Sequence, residues 1–413
     1  MTTLKRVLFI SYDGMTDPLG QSQVIPYLLG LSREGYEFYL LSCEKKEVFE
    51  KNRSVVESIL LGSRIHWIPL KYTKRPPVLS TVIDILKLRG AAARIHKEVG
   101  LSMVHTRPGI PALVGLYLKK KYGIKFLNDI REFYADSRVD GGMWNKRDFL
   151  YKFIYNFFKK QELQQVENSD GIVCLTTAAQ KIIRSWTVYN HQVPLEVIPC
   201  SVDLQLFDSS RFDKSDRDAT RKKLRIDSED MVFTYLGSIG GWYMTDEMLR
   251  FCKYLSDRIA KAKFLFISPH QHDQILRYAS SHSIAPDKII VTSASRLEVP
   301  HYLSISDYSI FFIIPCYSKL SSSPTKHGEL MSMGIPVITN AGVGDVKDIV
   351  EAYSGGIILE KFTDEEFNEA VKIIISKEFD REKIRKGAID VYSLEQAIDR
   401  YQKIYATILP NRL

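Results

Sequence analysis

The chain has 413 residues, 45% of them hydrophobic and 26% charged, with a formal net charge of +8. One hydrophobic core stops growing at roughly 250 to 300 residues, so two domains are expected, and the composition excludes a disordered or fibrous protein. The positive excess suits nucleotide phosphates, anionic lipid head groups or nucleic acid, and the lack of zinc-finger spacing or a ribonucleoprotein aromatic motif sets nucleic acid aside.

The opening MTTLKRVLFISYDGM holds a six-residue apolar stretch before Asp13, shorter than a signal-peptide core or a membrane span. Strand and helix then alternate. RVLFISY leads to a helix from about Ser22 to Glu34, EFYLLS and RIHWIPL to a helix over Ser80 to Lys97, SMVHT to one over Pro111 to Lys121, and IKFLND to one from Lys146 to Glu167 before GIVCLT. Short apolar strands between helices predict a parallel sheet covered on both faces. After LEVIPCSVD comes the polar stretch DLQLFDSSRFDKSDRDATRKKL, and the alternation restarts with VFTYLGS. It continues through a helix over Thr245 to Ile259, KFLFIS, a helix around Gln271 to Ser281, KIIVTS, YSIFFII, a helix from Thr325, IPVIT and GIILE.

The expected fold class is therefore α/β, with two doubly wound Rossmann-like domains: an N-terminal domain over 1–200 and a C-terminal domain over 201–394. The segment SLEQAIDRYQKIYATIL places Leu394, Ala397, Ile398, Tyr401, Ile404 and Tyr405 on one helical face. Residues 395–413 are accordingly expected to cross back onto the N-terminal domain. Five cysteines (Cys43, Cys174, Cys200, Cys252, Cys316) are odd in number and form no CxxC pair, which argues against a disulfide framework or zinc and for the cytoplasm.

The most informative segment is SSSPTKHGELMSMGIPVITNAGVGD, from Ser321 to Asp345, between two apolar strands. Pro324 suits the first turn of a helix that Ser322 or Ser323 can cap. The free amides at that helix start make an anion site, to which Lys326 adds a full charge, and Glu329 lies one turn on, where a carboxylate can accept two ribose hydroxyls. A capped surface helix with a solvated Glu is the bland alternative.

Three further stretches stand at strand ends, where loops carry function. SYDGMTDPLGQSQVIPYL brings Gly20 and Gln21 to a helix start, although GxGxxG is absent. VHTRPG ends the fourth strand with His105 and Arg107. NDIREFYADSRVDGG carries Asp129, Arg131, Glu132, Asp136, Arg138 and Asp140, as acceptor ligands or as mutual salt bridges. Arg131 stays protonated, so it can bind a hydroxyl or phosphate but cannot act as a base. The Asp-x-Asp at Asp216 and Asp218 is the candidate for Mg²⁺, but flanking Lys214, Arg217 and Arg221 favour a solvated linker helix, so no metal site is expected. WNKRDFLYKFIYNFFKKQEL interleaves Lys146, Arg147, Lys152, Lys159 and Lys160 with aromatics, which suits an anionic membrane surface, with one face in the core as the alternative.

SPTKHGELMSMGIPVITNAGVGD resembles the donor-site signature of glycosyltransferase family 4 and its GT-B relatives, in the form with an SPTK-type loop found in bacteria. VIPCSVD followed by Phe207 resembles the interdomain signature, and YLGSIGGWY the first strand and loop of the donor domain. The resemblance implies a GT-B glycosyltransferase that moves a hexose from a nucleotide diphosphate sugar, as co-substrate with no resident cofactor, to a saccharide or lipid-linked saccharide. It implies retention of configuration and a place in bacterial polysaccharide or glycoconjugate synthesis. Independence of metal is expected because no cluster of hard oxygen ligands stands in a crevice loop, and a cytoplasmic protein peripheral to the inner membrane face because the cysteines fit a reducing compartment and basic and aromatic residues concentrate in the N-terminal half. Donor contacts then fall to Gly20, Gln21, Gly237, Ser238, Ser322, Ser323, Thr325, Lys326 and Glu329. The catalytic set is Arg131, Asp129 and His105, and the acceptor contacts are Arg107, Glu132, Asp136 and Arg138. Two departures stand out: Ser321 occupies the place of the first Glu of the family's Glu-x7-Glu, and SIGGWYMTDE replaces the Arg and Lys that usually follow Gly237. A GT-B-type epimerase or hydrolase, or a non-catalytic sugar-binding homologue, is the alternative.

Overall fold

The structure is a computed structural model that describes residues 5–76 and 78–410, and the chain divides into two compact units. Residues up to Pro199 together with the chain from Leu394 form the first, and Cys200–Ser393 form the second; the expected return segment 395–413 lies partly outside the described residues at 411–413.

The first unit runs β1 (Lys5–Ser11), α1 (Pro18–Gln23), α2 (Ile25–Arg33), β2 (Tyr36–Glu44), α3 (Lys46–Leu60) and β3 (Ile65–Lys71). It continues with α4 (Leu79–Val99), β4 (Met103–Thr106), α5 (Ile110–Tyr122), β5 (Lys125–Ile130), α6 (Tyr134–Asp140), α7 (Phe149–Asn168), β6 (Gly171–Cys174), α8 (Thr177–Ser185) and β7 (Leu195–Val197). Among the described residues these strands form a seven-stranded parallel sheet in the order β3-β2-β1-β4-β5-β6-β7. Strands β4 and β6 are wholly buried, as a sheet covered on both faces requires.

The second unit runs α9 (Lys214–Leu224), β8 (Met231–Leu236), α10 (Thr245–Arg258), β9 (Ala262–Ile267), α11 (His272–Ser281), β10 (Ile289–Thr292) and α12 (Val299–Leu303). Then follow β11 (Tyr308–Ile310), α13 (Thr325–Ser332), β12 (Val337–Asn340), α14 (Val346–Ala352), β13 (Gly356–Leu359), α15 (Asp364–Ser376) and α16 (Arg381–Tyr392). Among the described residues its six parallel strands lie in the order β10-β9-β8-β11-β12-β13. In both sheets the order reverses beside the first strand, so each unit is doubly wound with its own switch point.

The last helix, α17 (Leu394–Ile408), belongs to the first unit and packs on α2. Its buried face is Ala397, Tyr401, Ile404, Tyr405 and Ile408. The approach is close: a Cβ on Gly30 would lie 2.2 Å from Ile398 Cδ1, and one on Gly171 would lie 2.6 Å from Ile408 Cδ1.

Two departures from the sequence expectations have simple causes. The single helix expected from Ser22 is two, broken at Val24, because Pro26 has no N–H to donate and its ring crowds the preceding turn. Helix α3 went unseen because it anchors through only Val56 and Leu60 among many charged residues. The polar stretch after β7 holds the expected linker helix, α9, whose capping box pairs Asp213 with Asp216: Asp213 Oδ1 accepts from the Asp216 amide at 2.9 Å, and Asp216 Oδ2 accepts from the Asp213 amide at 3.1 Å. Asp216 is thus spent on the helix start rather than offered to a cation.

Candidate active site

Ligands of doubly wound folds bind beyond the carboxyl ends of the strands at the switch point. In the second unit that point lies between β8 and β11, where the segments 237–244 and 311–324 leave the sheet. Gly237 turns the chain there with φ +118, a region glycine enters without strain. The loop is held from below, since the Met244 amide donates to the Phe312 carbonyl and the Ile314 amide to the Trp242 carbonyl, both at 3.0 Å.

Helix α13 begins at Thr325 with Pro324 as its N-cap, and no side chain caps it. The expectation that Ser322 or Ser323 caps this helix is corrected: the Ser323 hydroxyl accepts from the Cys200 amide at 3.2 Å, and the Ser322 amide donates to the Lys319 carbonyl at 3.1 Å. The first-turn amides are therefore left without a capping side chain, at the positive end of the helix dipole. Every residue from Lys326 to Ser332 is buried. His327 is neutral and structural, since burial drives its imidazole down to about 3 and its Nδ1 lies 2.9 Å from the Tyr392 hydroxyl.

Lys326 is only 7% exposed, and its ammonium has no hydrogen-bond partner among the described residues. It sits over aromatic faces instead, 3.8 Å from the Tyr243 centroid and 4.4 Å from that of Tyr235. Burial pulls its pKa down to about 7, against the opposing pull of Glu329. A Cβ on Gly237 would stand 3.2 Å from this Nζ, so the glycine also leaves room for the cation. Glu329 is 8% exposed and accepts from Arg296 at 3.1 Å; burial raises its pKa, and Arg296 and Lys326 oppose the rise. Arg296 in turn lies 5.5 Å over the Phe207 ring. Ser321, in the place of the family's first Glu, is fully buried and donates to the Ser318 carbonyl at 2.7 Å. The Ser238 carbonyl accepts from the Tyr235 hydroxyl.

In the first unit, His105, Arg107, Asp129 and Arg131 meet at the ends of β4 and β5, all at most 8% exposed. Helix α17 closes over them. Tyr401 donates to Asp129 Oδ2 at 2.9 Å, and His105 lies 2.7 Å from the Tyr405 hydroxyl through Nδ1 and 3.4 Å from Asp129 through Nε2. Arg107 and Arg131 stand 3.9 and 3.8 Å from the same carboxylate. Burial alone would raise Asp129, but Arg131, His105 and Arg107 together hold it at about 2, and burial lowers His105 in spite of Asp129. The expected catalytic set is thus gathered, but as an interior ion cluster clamped by a helix.

The expected acceptor contacts are likewise paired at home. Arg138 bonds Glu132 at 3.0 Å and lies 4.3 Å over the Tyr134 ring, and Asp136 accepts from Tyr155 and Lys159 at 2.8 Å each. The loop before α1 also turns inward. Glu44, at the end of β2, accepts from the Met15 amide at 2.7 Å, the Thr16 amide at 3.3 Å and the Thr16 hydroxyl at 2.6 Å. A Cβ on Gly20 would strike the Gly14 carbonyl at 2.3 Å, and Gln21 donates to the Thr16 carbonyl at 3.2 Å. Two amides of this loop, those of Met15 and Thr16, thus serve an internal carboxylate, while the Gln21 amide donates to the Asp17 carbonyl at 3.2 Å.

Sequence reading missed Arg296, Tyr235, Tyr243, Phe311 and Glu44. Each earns its place through a partner distant in the chain, which short motifs do not reveal. Only the aromatics of YLGSIGGWY stood in a stretch already marked.

Residues 216–391 match the model of the family described as glycosyl transferases group 1. Among solved structures the chain is similar to a glycosyltransferase from Rickettsia africae, at 15% identity over 99% of this chain and 100% of that one, with a TM-score of 0.74. It is similar to a sucrose-phosphate synthase from Thermosynechococcus elongatus, at 15% identity over 98% and 99% with a TM-score of 0.72. HepE from Anabaena, solved with UDP and glucose, is similar at 10% identity over 98% and 100% with a TM-score of 0.71. No curated protein matches. The family match lies within the second unit, and together with the architecture of two parallel-sheet Rossmann-like units shared with solved GT-B structures it supports glycosyltransferase activity.

Proposed function

We propose that this protein transfers a hexose from a nucleotide diphosphate sugar to a saccharide or lipid-linked saccharide, with retention of configuration and without a metal ion. The observation that carries the reading is the buried ammonium of Lys326, without a hydrogen-bond partner among the described residues, at the start of a helix that no side chain caps, one turn from Glu329. That pair matches the two ends of a nucleoside diphosphate: phosphate for the cation and helix end, ribose hydroxyls for the carboxylate. HepE, of the same fold, binds UDP and glucose. As the sugar leaves, charge develops on the diphosphate, and a fixed cation with fixed amides in a dry site stabilises it.

Thermal shift with a panel of nucleotide sugars, followed by donor consumption with and without acceptor, tests the proposal. A donor that raises the melting temperature and is consumed only with an acceptor supports transfer. Release of free sugar or of an epimer without acceptor selects a hydrolase or epimerase, and binding by no nucleotide sugar rejects the reading. Undiminished turnover in excess EDTA is the expected result, because Asp216 of the Asp-x-Asp is committed to capping α9. Loss of turnover with rescue by Mg²⁺ overturns that part.

The acceptor side of the proposal includes an anionic membrane surface. Phe149, Phe153 and Phe157 recur every fourth residue on α7 and are 87%, 65% and 42% exposed, beside exposed Lys146, Arg147, Lys152 and Lys160. An apolar row flanked by cations fits lipid head groups, each basic residue adding about 1 kcal/mol near the surface. Among the described residues no helix is long and apolar enough to cross a membrane. Flotation with anionic liposomes at low salt, lost in Phe149→Ser/Phe153→Ser, is expected; equal flotation of variant and parent removes this surface from the proposal.

A further inference from the structure

Among the described residues the Lys326 ammonium makes no hydrogen bond, which raises the question of what holds it there. Its Nζ lies within 6 Å of three ring centroids: Tyr243 at 3.8 Å, Tyr235 at 4.4 Å and Phe311 at 5.9 Å. Tyr235 and Tyr243 meet edge to face at 6.0 Å, and the Tyr235 hydroxyl is tied to the Ser238 carbonyl, so both rings are fixed by the loop that follows β8. That loop is where the usual basic pair is missing. We propose that Tyr243, with Tyr235 and Phe311, forms an aromatic box that positions Lys326 as a cation for the donor diphosphate. The inference rests on the donor-site reading above.

A π-face attracts an ammonium but does not neutralise it or occupy its N–H donors in the way a carboxylate would. The box therefore favours the charged, available form of the lysine in a place where burial disfavours charge. The other titratable group facing it is Glu329, which works in the same direction, while Tyr235 and Tyr243 stay neutral because burial raises both phenols. Binding of a diphosphate then requires Lys326 protonated. Above about pH 7 the affinity should fall toward about tenfold per pH unit as a proton must be taken up with the ligand.

The test uses the full chain, with UDP, GDP, ADP and dTDP as probes and the matching nucleoside as control, by titration calorimetry from pH 6 to pH 9 (~) in small steps. For the diphosphate that binds, Tyr243→Leu should raise Kd about tenfold, leave the nucleoside unaffected, and move the loss of binding to lower pH. Tyr243→Phe, which keeps the ring, should behave as the parent. If Tyr243→Leu does not fold, Tyr243→Met, which keeps the volume without the π-face, takes its place. Equal losses for nucleoside and diphosphate, or an unshifted pH profile, overturn the positioning role. Failure of every diphosphate to bind the parent chain instead overturns the donor-site reading on which it stands.

Discussion

A buried ammonium without an acceptor is costly to fold. Moving a lysine from 10.5 to about 7 corresponds to on the order of 5 kcal/mol against the folded state at neutral pH. Lys326→Met, similar in length and free of charge, should therefore raise the melting temperature of the unliganded protein while weakening diphosphate binding, the pattern of a residue kept for function at the expense of stability. The sign of the pH dependence follows. Between about pH 7 and 10.5 the unfolded chain holds the Lys326 proton and the folded one has released it, so parental stability climbs with pH across that window, and the climb should vanish in Lys326→Met. Glu329→Gln keeps the shape but loses the charge that meets Arg296 at 3.1 Å and, in the proposed complex, the ribose. Donor affinity should fall roughly 10- to 100-fold by calorimetry, as for a charged hydrogen bond lost. An unchanged Kd would move the ribose elsewhere.

Among the elements, α17 carries the sharpest consequence, because its two tyrosines complete the ion cluster of the first unit. Tyr401→Phe removes one donor from Asp129 and should cost about 1 to 3 kcal/mol at neutral pH. Asp129 is depressed in the folded state, so its contribution is present above the ordinary carboxyl range and is lost as pH falls from about 3.8 to about 2. The gap between parent and Tyr401→Phe should accordingly narrow through that window in acid-unfolding curves; a constant gap would mean that Tyr401 acts through packing alone. The same helix shows what a sequence reveals at this scale. Its one apolar face was visible from residue spacing, whereas the Asp129 and His105 partners, some 270 to 300 residues away, were not.

Across the whole molecule the two sheets were legible because parallel strands buried on both faces are short apolar runs such as VLFIS and VFTYL, which little else in a globular chain resembles. Elements anchored by one or two residues, such as α3, had no such signature. Of the site, Lys326, Glu329 and Gly237 lay in motifs, but Arg296 and the aromatic box emerge only once β10, β9, β8 and β11 stand in that order in one sheet.

The first unit is built from two stretches of chain and the second from one, and this has a consequence for how the protein is made. A ribosome synthesises residues 200–393 before it reaches α17, so the unit that begins first is the later one to be completed. Until α17 is released, Asp129 and His105 lack their tyrosines, and the apolar faces at Gly30 and Gly171 stand open to chaperones or to aggregation. Residues 200–393 expressed alone should give a cooperative thermal transition, whereas 1–199 alone should melt without one and regain it when a peptide covering 394–410 is supplied; a cooperative 1–199 fragment would show that the final helix is an accessory to that core rather than part of it.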